Sequence, residues 1–150
     1  QVAQAVGAIA ARCPGPLRLA GHSAGGHLVA RMLDPAVAGD WLSRVDGVVP
    51  ISPLSDLAPF LKTSMNADFA LDAATARAES PVHQPVPDRP VTVWVGGAER
   101  PAFLDQAAWL GAAWGCEVVV RPGRHHFDII AGLEEAGSDL TTAVIGQRDR

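Results

Sequence analysis

The sequence is poor in cysteine. Only Cys13 and Cys116 occur in 150 residues, and neither belongs to a Cys-x-x-Cys pair or a Cys/His cluster. Two such distant cysteines exclude a disulfide framework and a zinc finger, and they predict two unpaired, buried thiols.

Positive charge and long apolar runs are also scarce. Lys62 is the single lysine, the 12 basic residues are scattered, and the formal net charge is −4, so no basic stripe is available for nucleic acid or an anionic membrane. No apolar run approaches the roughly 20 residues that span a bilayer, and no signal-peptide pattern is present. We therefore expect a cytoplasmic protein with a small-molecule substrate and without membrane or nucleic-acid partners. Assembly into a homo-oligomer stays open.

Apolar segments alternate with segments of helical spacing. A hydrophobic content of 48% in 150 residues is enough for the core of one domain. Strands are predicted at residues 17–20, 47–52, 91–95 and 117–121. Helices are predicted at residues 2–13, 24–34, 72–79 and 101–114, from about residue 128, and from residue 138 or 139. This alternation indicates a parallel α/β sheet, which binds ligands at the carboxyl ends of its strands.

Two other features bear on the fold. Residues 53–90 contain six prolines and are expected to form a loop or cap over a pocket. Trp94, Trp109 and Trp114 are expected to pack in the core or to cover the sheet.

The segment 17–30 carries the most specific motif, Gly-x-Ser-x-Gly, from Gly21 to Gly25. An apolar run precedes it and a helical pattern follows, which is the strand, sharp turn and helix of a nucleophile elbow. Such a turn lifts the Ser23 hydroxyl clear of the backbone. We expect a Cβ atom at Gly21 or Gly25 to collide with the neighbouring strand or helix. The N–H of Ala24, at the start of the helix, is the candidate oxyanion donor.

An acid and a histidine follow Ser23 in the order found in hydrolases with this elbow. Glu99 comes just after the third predicted strand, and His126 comes just after the fourth. The histidine would take the serine proton, and the carboxylate would hold the imidazole. Asp56, after the second strand, is the alternative acid, and His125 is the alternative base. Asp105 and Asp128 are expected to be surface or helix-start acids.

A metal site is the competing interpretation of the histidines. The possible ligands are His22, His27, His125, His126 and Asp128. Neither a His-Glu-x-x-His motif nor a cysteine pair accompanies them, so we expect no metal and no other cofactor.

Several segments resemble the animal-type kynurenine formamidase (arylformamidase) group of the α/β-hydrolases. The resemblance rests on Leu-Ala-Gly-His-Ser-Ala-Gly-Gly-His-Leu around Ser23, Ile-Ser-Pro-Leu-Ser-Asp-Leu-Ala-Pro-Phe after the second strand, and the segments 63–66 and 78–81. It continues through Val-Gly-Gly-Ala-Glu-Arg-Pro-Ala-Phe-Leu-Asp-Gln (95–106) and His-Phe-Asp-Ile-Ile (126–130). The resemblance implies Ser23 as nucleophile, His126 as base and Glu99 where the family usually has Asp.

The same resemblance implies an organisation and an activity. The family's first strands and its upstream His-Gly-Gly-x-Trp oxyanion loop are absent from residues 1–150. We therefore expect the C-terminal part of one hydrolase domain, with an unpaired edge at residues 17–20. The expected reaction is hydrolysis of N-formylkynurenine to kynurenine and formate. The alternatives are a general carboxylesterase of small acyl esters and a catalytically inactive, hydrolase-fold binding domain. The intact serine, acid and histidine argue against the inactive domain.

Overall fold

Four parallel strands form the centre of the computed structural model, which describes residues 1–146. They are β1 (Leu17–His22), β2 (Val45–Ile51), β3 (Thr92–Gly96) and β4 (Glu117–Arg121), and they lie side by side in the order β1-β2-β3-β4. In the register, Leu19 is opposite Val48, and Val93 is opposite Val118. The predicted parallel α/β sheet is confirmed.

Helices connect the strands. The α-helices are α1 (Val2–Arg12), α2 (Ala24–Arg31), α3 (Asn66–Phe69), α4 (Ala73–Glu79), α5 (Pro101–Trp114) and α6 (Asp139–Ile145). Short 3₁₀ helices occur at Asp40–Arg44, Ala58–Lys62, Pro81–His83 and Ile129–Glu134. Side chains cap two of the α-helices, because Asp72 accepts from the Thr75 N–H and Ser138 accepts from the Thr141 N–H.

Two predicted helices differ from the structure. The helix from Ala24 ends at Arg31 and continues only as turns to Asp34, since the residue before Pro35 is disfavoured in helical conformation. The segment after Asp128 forms a 3₁₀ helix instead of an α-helix. There the Gly132 carbonyl accepts hydrogen bonds from the hydroxyls of Ser138 and Thr141, so it is already used by the start of α6.

The core has two layers, one on each face of the sheet. Alternating side chains of β3 point to opposite layers: Val93 and Val95 pack in the larger cluster, and Trp94 packs in the smaller one. The larger cluster includes Trp41, Leu110 and Trp114, whereas the smaller includes Val49, Ile51, Ile129 and Leu140. The sheet is therefore covered on both faces, as expected of parallel strands.

Three expectations about buried side chains were wrong. Cys13 is exposed and Cys116 is half-buried, although both thiols are free. Cys13 follows the last residue of α1, beside the Pro14-Gly15-Pro16 turn, and so lies outside the packed face of that helix. Trp109 is 43% exposed because it lies on the outer face of α5, whereas Leu110 and Trp114 face the sheet.

Strand β1 lies at the end of the strand order. Within residues 1–146, β2 is its only strand neighbour, and Leu17 and Leu19 are only half-buried. The nearby α1 leaves Ile9 57% exposed. Strand β1 thus presents backbone N–H and C=O groups along one edge. No helix in the described part of the chain is both long and apolar enough to cross a membrane.

Candidate active site

Ser23 lies on the sharp turn that joins β1 to α2. Its backbone has φ 57° and ψ −118°, which is a left-handed conformation that residues with a Cβ seldom adopt. Such a conformation costs about 1–3 kcal/mol and persists only where neighbouring structure enforces it. The Ser23 N–H donates to the Ile51 carbonyl at 2.9 Å, which fixes the turn against the end of β2. The hydroxyl is thereby presented at the carboxyl edge of the sheet.

The glycines around Ser23 differ from the prediction in one respect. A Cβ on Gly21 would stand 2.2 Å from the Gly25 carbonyl oxygen, so this position requires glycine. A Cβ on Gly25 would meet nothing within 4 Å, and the expectation of a collision there was wrong. The second crowded glycine is Gly26, whose Cβ would come within 3.0 Å of the Ile51 oxygen and of the Pro53 Cα. The helix therefore approaches β2 at Gly26, one residue beyond the motif.

The crowding at Gly21 and the open space at Gly25 predict opposite effects on stability when each glycine is replaced by alanine. Gly21→Ala should lower the free energy of unfolding by about 1–3 kcal/mol or more, because backbone must move to relieve the overlap. Gly25→Ala is the matched control, and it should be neutral or stabilising by up to about 1 kcal/mol, since alanine favours a helix over glycine. Urea denaturation of the full-length protein measures both. Equal losses in the two variants would contradict the described turn.

His126 connects Ser23 to Glu99. Its Nε2 accepts from the Ser23 Oγ at 3.0 Å, and its Nδ1 donates to Glu99 Oε2 at 2.7 Å. The imidazole stacks on Phe103, with ring centroids 4.0 Å apart, and Phe127 meets it edge-on at 5.4 Å. The structure thus brings together the three side chains that the order of the sequence singled out, and it holds the imidazole between two aromatic rings.

Glu99 is buried beneath His126, and the exposed fraction of its side chain is 0%. Its Oε1 accepts from the Ser52 hydroxyl at 2.5 Å and from the Gly96 N–H at 2.8 Å. Gly96 also allows the close approach of the loop that carries His126, because a Cβ there would lie 2.2 Å from the Arg124 oxygen. In the described residues, the donors to this carboxylate follow or end three neighbouring strands, so they lie at the carboxyl edge of the sheet.

The alternative acid, Asp56, and the alternative base, His125, lie outside the series of contacts from Ser23 through His126 to Glu99. Asp56 Oδ1 accepts from the Ala58 N–H at 2.9 Å, so its carboxylate caps a turn. His125 is largely exposed, and its Nδ1 accepts from the Phe127 N–H at 3.1 Å. Asp128 accepts from the His125 N–H at 2.6 Å and thus stabilises the loop around His126. Asp105 is exposed on α5.

His22, the residue before Ser23, supports the His126 loop. Its Nε2 donates to the His126 carbonyl at 2.7 Å, and the two rings are 4.6 Å apart. Burial lowers the pKa of His22, although its hydrogen bond to His126 opposes that shift. A neutral His22 avoids repulsion with His126 when His126 carries a proton. The sequence did not reveal this contact, because a histidine within the elbow motif has no distinctive spacing.

Ala24 is the first residue of α2, so its N–H has no acceptor within the helix. It is next to Ser23 and exposed. Farther along α2, His27 donates from Nε2 to the Glu79 carbonyl at 2.8 Å, and burial lowers the pKa of His27. Nowhere in residues 1–146 do three or more His, Cys, Asp or Glu side chains converge as metal ligands would.

Two recesses border the site. A cavity of about 500 Å³ lies beside His126 and is lined by Ala98, Glu99, Arg100, Phe103, His125, His126 and Phe127. An apolar recess of about 290 Å³ borders Ala24 and is lined by Ala24, His27, Leu54, Leu57, Phe60, Phe69 and Leu71. The proline-rich segment 53–90 supplies five of those seven residues. The Ser23 turn therefore has open space on its histidine side and on its Ala24 side.

Gln106 holds the segment that forms the apolar recess. This buried side chain accepts from the N–H groups of Ser55 and Asp56 at 2.6 and 2.7 Å, and it donates to the Asp56 carbonyl at 2.8 Å. Sequence reasoning missed both Gln106 and Ser52. A signal for Ser52 was its position as a polar residue at the end of a buried strand, and a polar residue on an apolar helix face was the signal for Gln106.

The comparisons with known proteins identify similar structures. A candidate thioesterase from Silicibacter sp. matches 97% of this chain with 56% sequence identity and a TM-score of 0.94, over 56% of its own length. An acetyl ester-xyloside bifunctional hydrolase from Caldicellulosiruptor lactoaceticus is 18% identical over 84% of this chain and 52% of its own, with a TM-score of 0.57. Esterase 2 of Thermogutta terrifontis, phosphonylated by sarin, is 19% identical over 74% of this chain and 47% of its own, with a TM-score of 0.56.

No protein-family model matches the sequence. The chain spans about half the length of the similar structures, at 56%, 52% and 47%. Over that length the parallel sheet and its helices superpose on these structures with TM-scores of 0.94, 0.57 and 0.56. The chain therefore has an α/β-hydrolase fold, with four parallel strands and flanking helices.

Proposed function

We propose that this chain carries the nucleophile, acid and base of a serine hydrolase that cleaves ester bonds by acyl transfer. The observation that carries the proposal is the continuous series of contacts from Ser23 Oγ to His126 Nε2 at 3.0 Å and from His126 Nδ1 to Glu99 Oε2 at 2.7 Å. The strained turn at Ser23 supports the same conclusion, since strain of this kind accumulates at functional sites.

The reaction has two steps. His126 Nε2 takes the Ser23 proton as Oγ attacks the carbonyl carbon, and the same nitrogen then protonates the departing alcohol or thiol. Water, deprotonated by His126, next attacks the acyl carbon on Ser23. His126 returns that proton to Ser23 Oγ as the acyl–oxygen bond breaks and the acid leaves. Glu99 stays ionised and stabilises the imidazolium that forms in both steps.

The negative oxygen of the tetrahedral intermediate must be stabilised by hydrogen-bond donors. The Ala24 N–H, at the positive end of α2, is the donor that we assign within this chain. We propose that a second donor comes from a segment preceding residue 1 that also pairs with the edge of β1. The greater length of the similar structures and the position of β1 at the end of the sheet support this organisation.

The comparisons favour esters and thioesters as the substrate class. The names of the similar proteins refer to thioesterase, acetyl ester hydrolase and esterase. The apolar recess beside Ala24 suits a small or medium uncharged group, because five of its lining residues are leucine or phenylalanine.

Arylformamide hydrolysis is the second candidate. It is supported by the resemblance of segments 19–28, 95–106 and 126–130 to the kynurenine formamidases. It is also supported by Phe103 and Phe127, which line the cavity beside His126 and could pack against an aryl leaving group.

A fluorophosphonate probe tests the proposal directly. It should label the full-length protein at one residue, and digestion with mass spectrometry should locate the adduct on Ser23, because only an activated serine reacts readily. Prior heat denaturation should abolish the labelling. A folded protein that remains unlabelled would favour the non-catalytic binding domain over the enzyme.

A substrate panel then separates the two candidates. Phenyl acetate, an acetyl thioester and N-formylkynurenine should be compared by kcat/KM at equal enzyme concentration. The ester or thioester should exceed the formamide, and a formamide preference of tenfold or more would instead assign arylformamidase activity.

A further inference from the structure

Ser52 lies at the end of β2 and directly contacts the acid of the site. The geometry points to Ser52 as a positioning residue that fixes the Glu99 carboxylate for His126, an assignment that rests on the function proposed above. Its hydroxyl donates to Glu99 Oε1 at 2.5 Å. Glu99 Oε2 is thereby left to His126 Nδ1. Within residues 1–146 no hydrogen bond links Ser52 to Ser23 or His126, so its effect on them passes through Glu99.

The backbone of Ser52 is held in an unusual conformation to reach this contact. Its φ is 46°, in the left-handed region, and its exposed fraction is 0%. The Ser52 N–H donates to the Trp94 carbonyl at 2.6 Å, which fixes the residue between β2 and β3. Serine at such an angle is strained, whereas glycine would not be. A serine held in this way indicates that its hydroxyl has a specific task.

Burial explains why Glu99 needs that hydroxyl. An ionised carboxylate without water around it must accept hydrogen bonds, or it takes up a proton instead. The groups around Glu99 provide three donors, namely the Ser52 hydroxyl, the Gly96 N–H and the His126 Nδ1–H. Ser52 and Gly96 together occupy Oε1, and this prevents the carboxylate from rotating away from His126.

The charged and titratable groups near Glu99 determine the expected pH effect. His126 faces it from the loop after β4, and His22 lies behind His126 at the end of β1. Arg100, next in the chain, lines the cavity on the same side. Among these groups, Ser52 donates a hydrogen bond without adding charge. Removal of its hydroxyl therefore alters the electrostatic coupling between Glu99 and His126, and a change in that coupling displaces the pH dependence of the reaction.

The first experiment measures kinetics of Ser52→Ala and Ser52→Gly in the full-length protein. Both should lower kcat about 10- to 100-fold, with KM changed less than about twofold, and both should displace the acid limb of the kcat/KM profile. The glycine variant removes the backbone strain, so an equal defect excludes strain as the cause. Ser55→Ala, at another fully buried serine of the same segment that contacts Gln106, should leave the pH profile unchanged.

The second experiment is a double-mutant cycle. In a Glu99→Gln background, Ser52→Ala should cost less than about twofold in kcat, because the residue through which it acts has already been changed. A cost that multiplies with that of Glu99→Gln would overturn the assignment. So would a uniform loss of activity without a shift of the pH profile, since that pattern indicates a merely structural role.

A measurement without turnover separates this inference from the proposed function. Histidine NMR of the full-length protein, with His126 assigned from a His126→Gln spectrum, should show the titration of His126 displaced in Ser52→Ala relative to wild type. If that shift occurs in a protein that hydrolyses no ester, Ser52 positions Glu99 and the proposed reaction is wrong. If hydrolysis is normal and neither the NMR titration nor the pH profile moves, the role of Ser52 is wrong.

Discussion

Ser23→Ala should lower kcat for ester hydrolysis by about 10⁴–10⁶-fold in the full-length protein. The methyl side chain leaves His126 without a proton to accept and the carbonyl carbon without a nucleophile. KM should change little, because both recesses retain their lining residues. Burst and steady-state kinetics with a p-nitrophenyl ester measure the loss, and the burst should disappear.

Ser43→Ala is the matched control for this variant. Ser43 is exposed in a 3₁₀ helix, and its hydroxyl donates only to the Asp40 carbonyl. Its kcat should equal that of the wild type. If Ser23→Ala kept more than about a hundredth of the wild-type kcat, Ser23 would not be the nucleophile.

The elbow and the sheet could be predicted from the sequence because both depend on local patterns. Apolar runs, a Gly-x-Ser-x-Gly turn and helical spacing each lie within about ten residues, and the structure has β1, the turn and α2 at those places. The glycine contacts depended on tertiary packing instead. Whether Gly25 or Gly26 is crowded is decided by the approach of α2 to Ile51 and Pro53, which are distant in sequence.

The choice between the two candidate acids also depended on packing. Asp56 and Glu99 both follow a strand of the sheet, so the pattern alone left Asp56 open as an alternative. Gln106 binds the backbone on both sides of the Asp56 side chain, and the carboxylate then caps the turn at Ala58. The sequence does not show this arrangement, since it requires α5 to lie against the segment after β2.

Ser52 shows a further limit of the sequence pattern. A serine after a buried strand is common at a turn, and nothing in the sequence indicates a φ of 46° or a hydrogen bond to a residue 47 positions away. That contact requires β2 and β3 to be neighbours. Their order in the sheet thus brings Ser52 and Glu99 together, while the order of β3 and β4 brings Glu99 near His126.

The two adjacent histidines should respond very differently to substitution. His126→Ala should lower kcat by about 10⁴–10⁶-fold, because Ser23 loses the base that contacts it at 3.0 Å and Glu99 loses its partner. His125→Ala should lower kcat less than about tenfold, since His125 is largely exposed and, in the described part of the chain, its hydrogen bonds stay within its own loop. Parallel kinetics and circular dichroism of the two full-length variants measure activity and fold together.

Rescue by added imidazole is a second test of whether His126 is the base. In the wild type, the His126 imidazole stacks on Phe103 and meets Phe127 edge-on. The substitution His126→Ala leaves that space beside the two rings empty. Free imidazole should therefore enter the cavity and restore turnover by tenfold or more, with a saturating dependence on its concentration. It should not restore Ser23→Ala, which keeps its own imidazole but lacks the nucleophile. An inactive His125→Ala with an active His126→Ala would transfer the role of base to His125, and the hydrogen bond between His126 and Glu99 would then serve only to hold the loop.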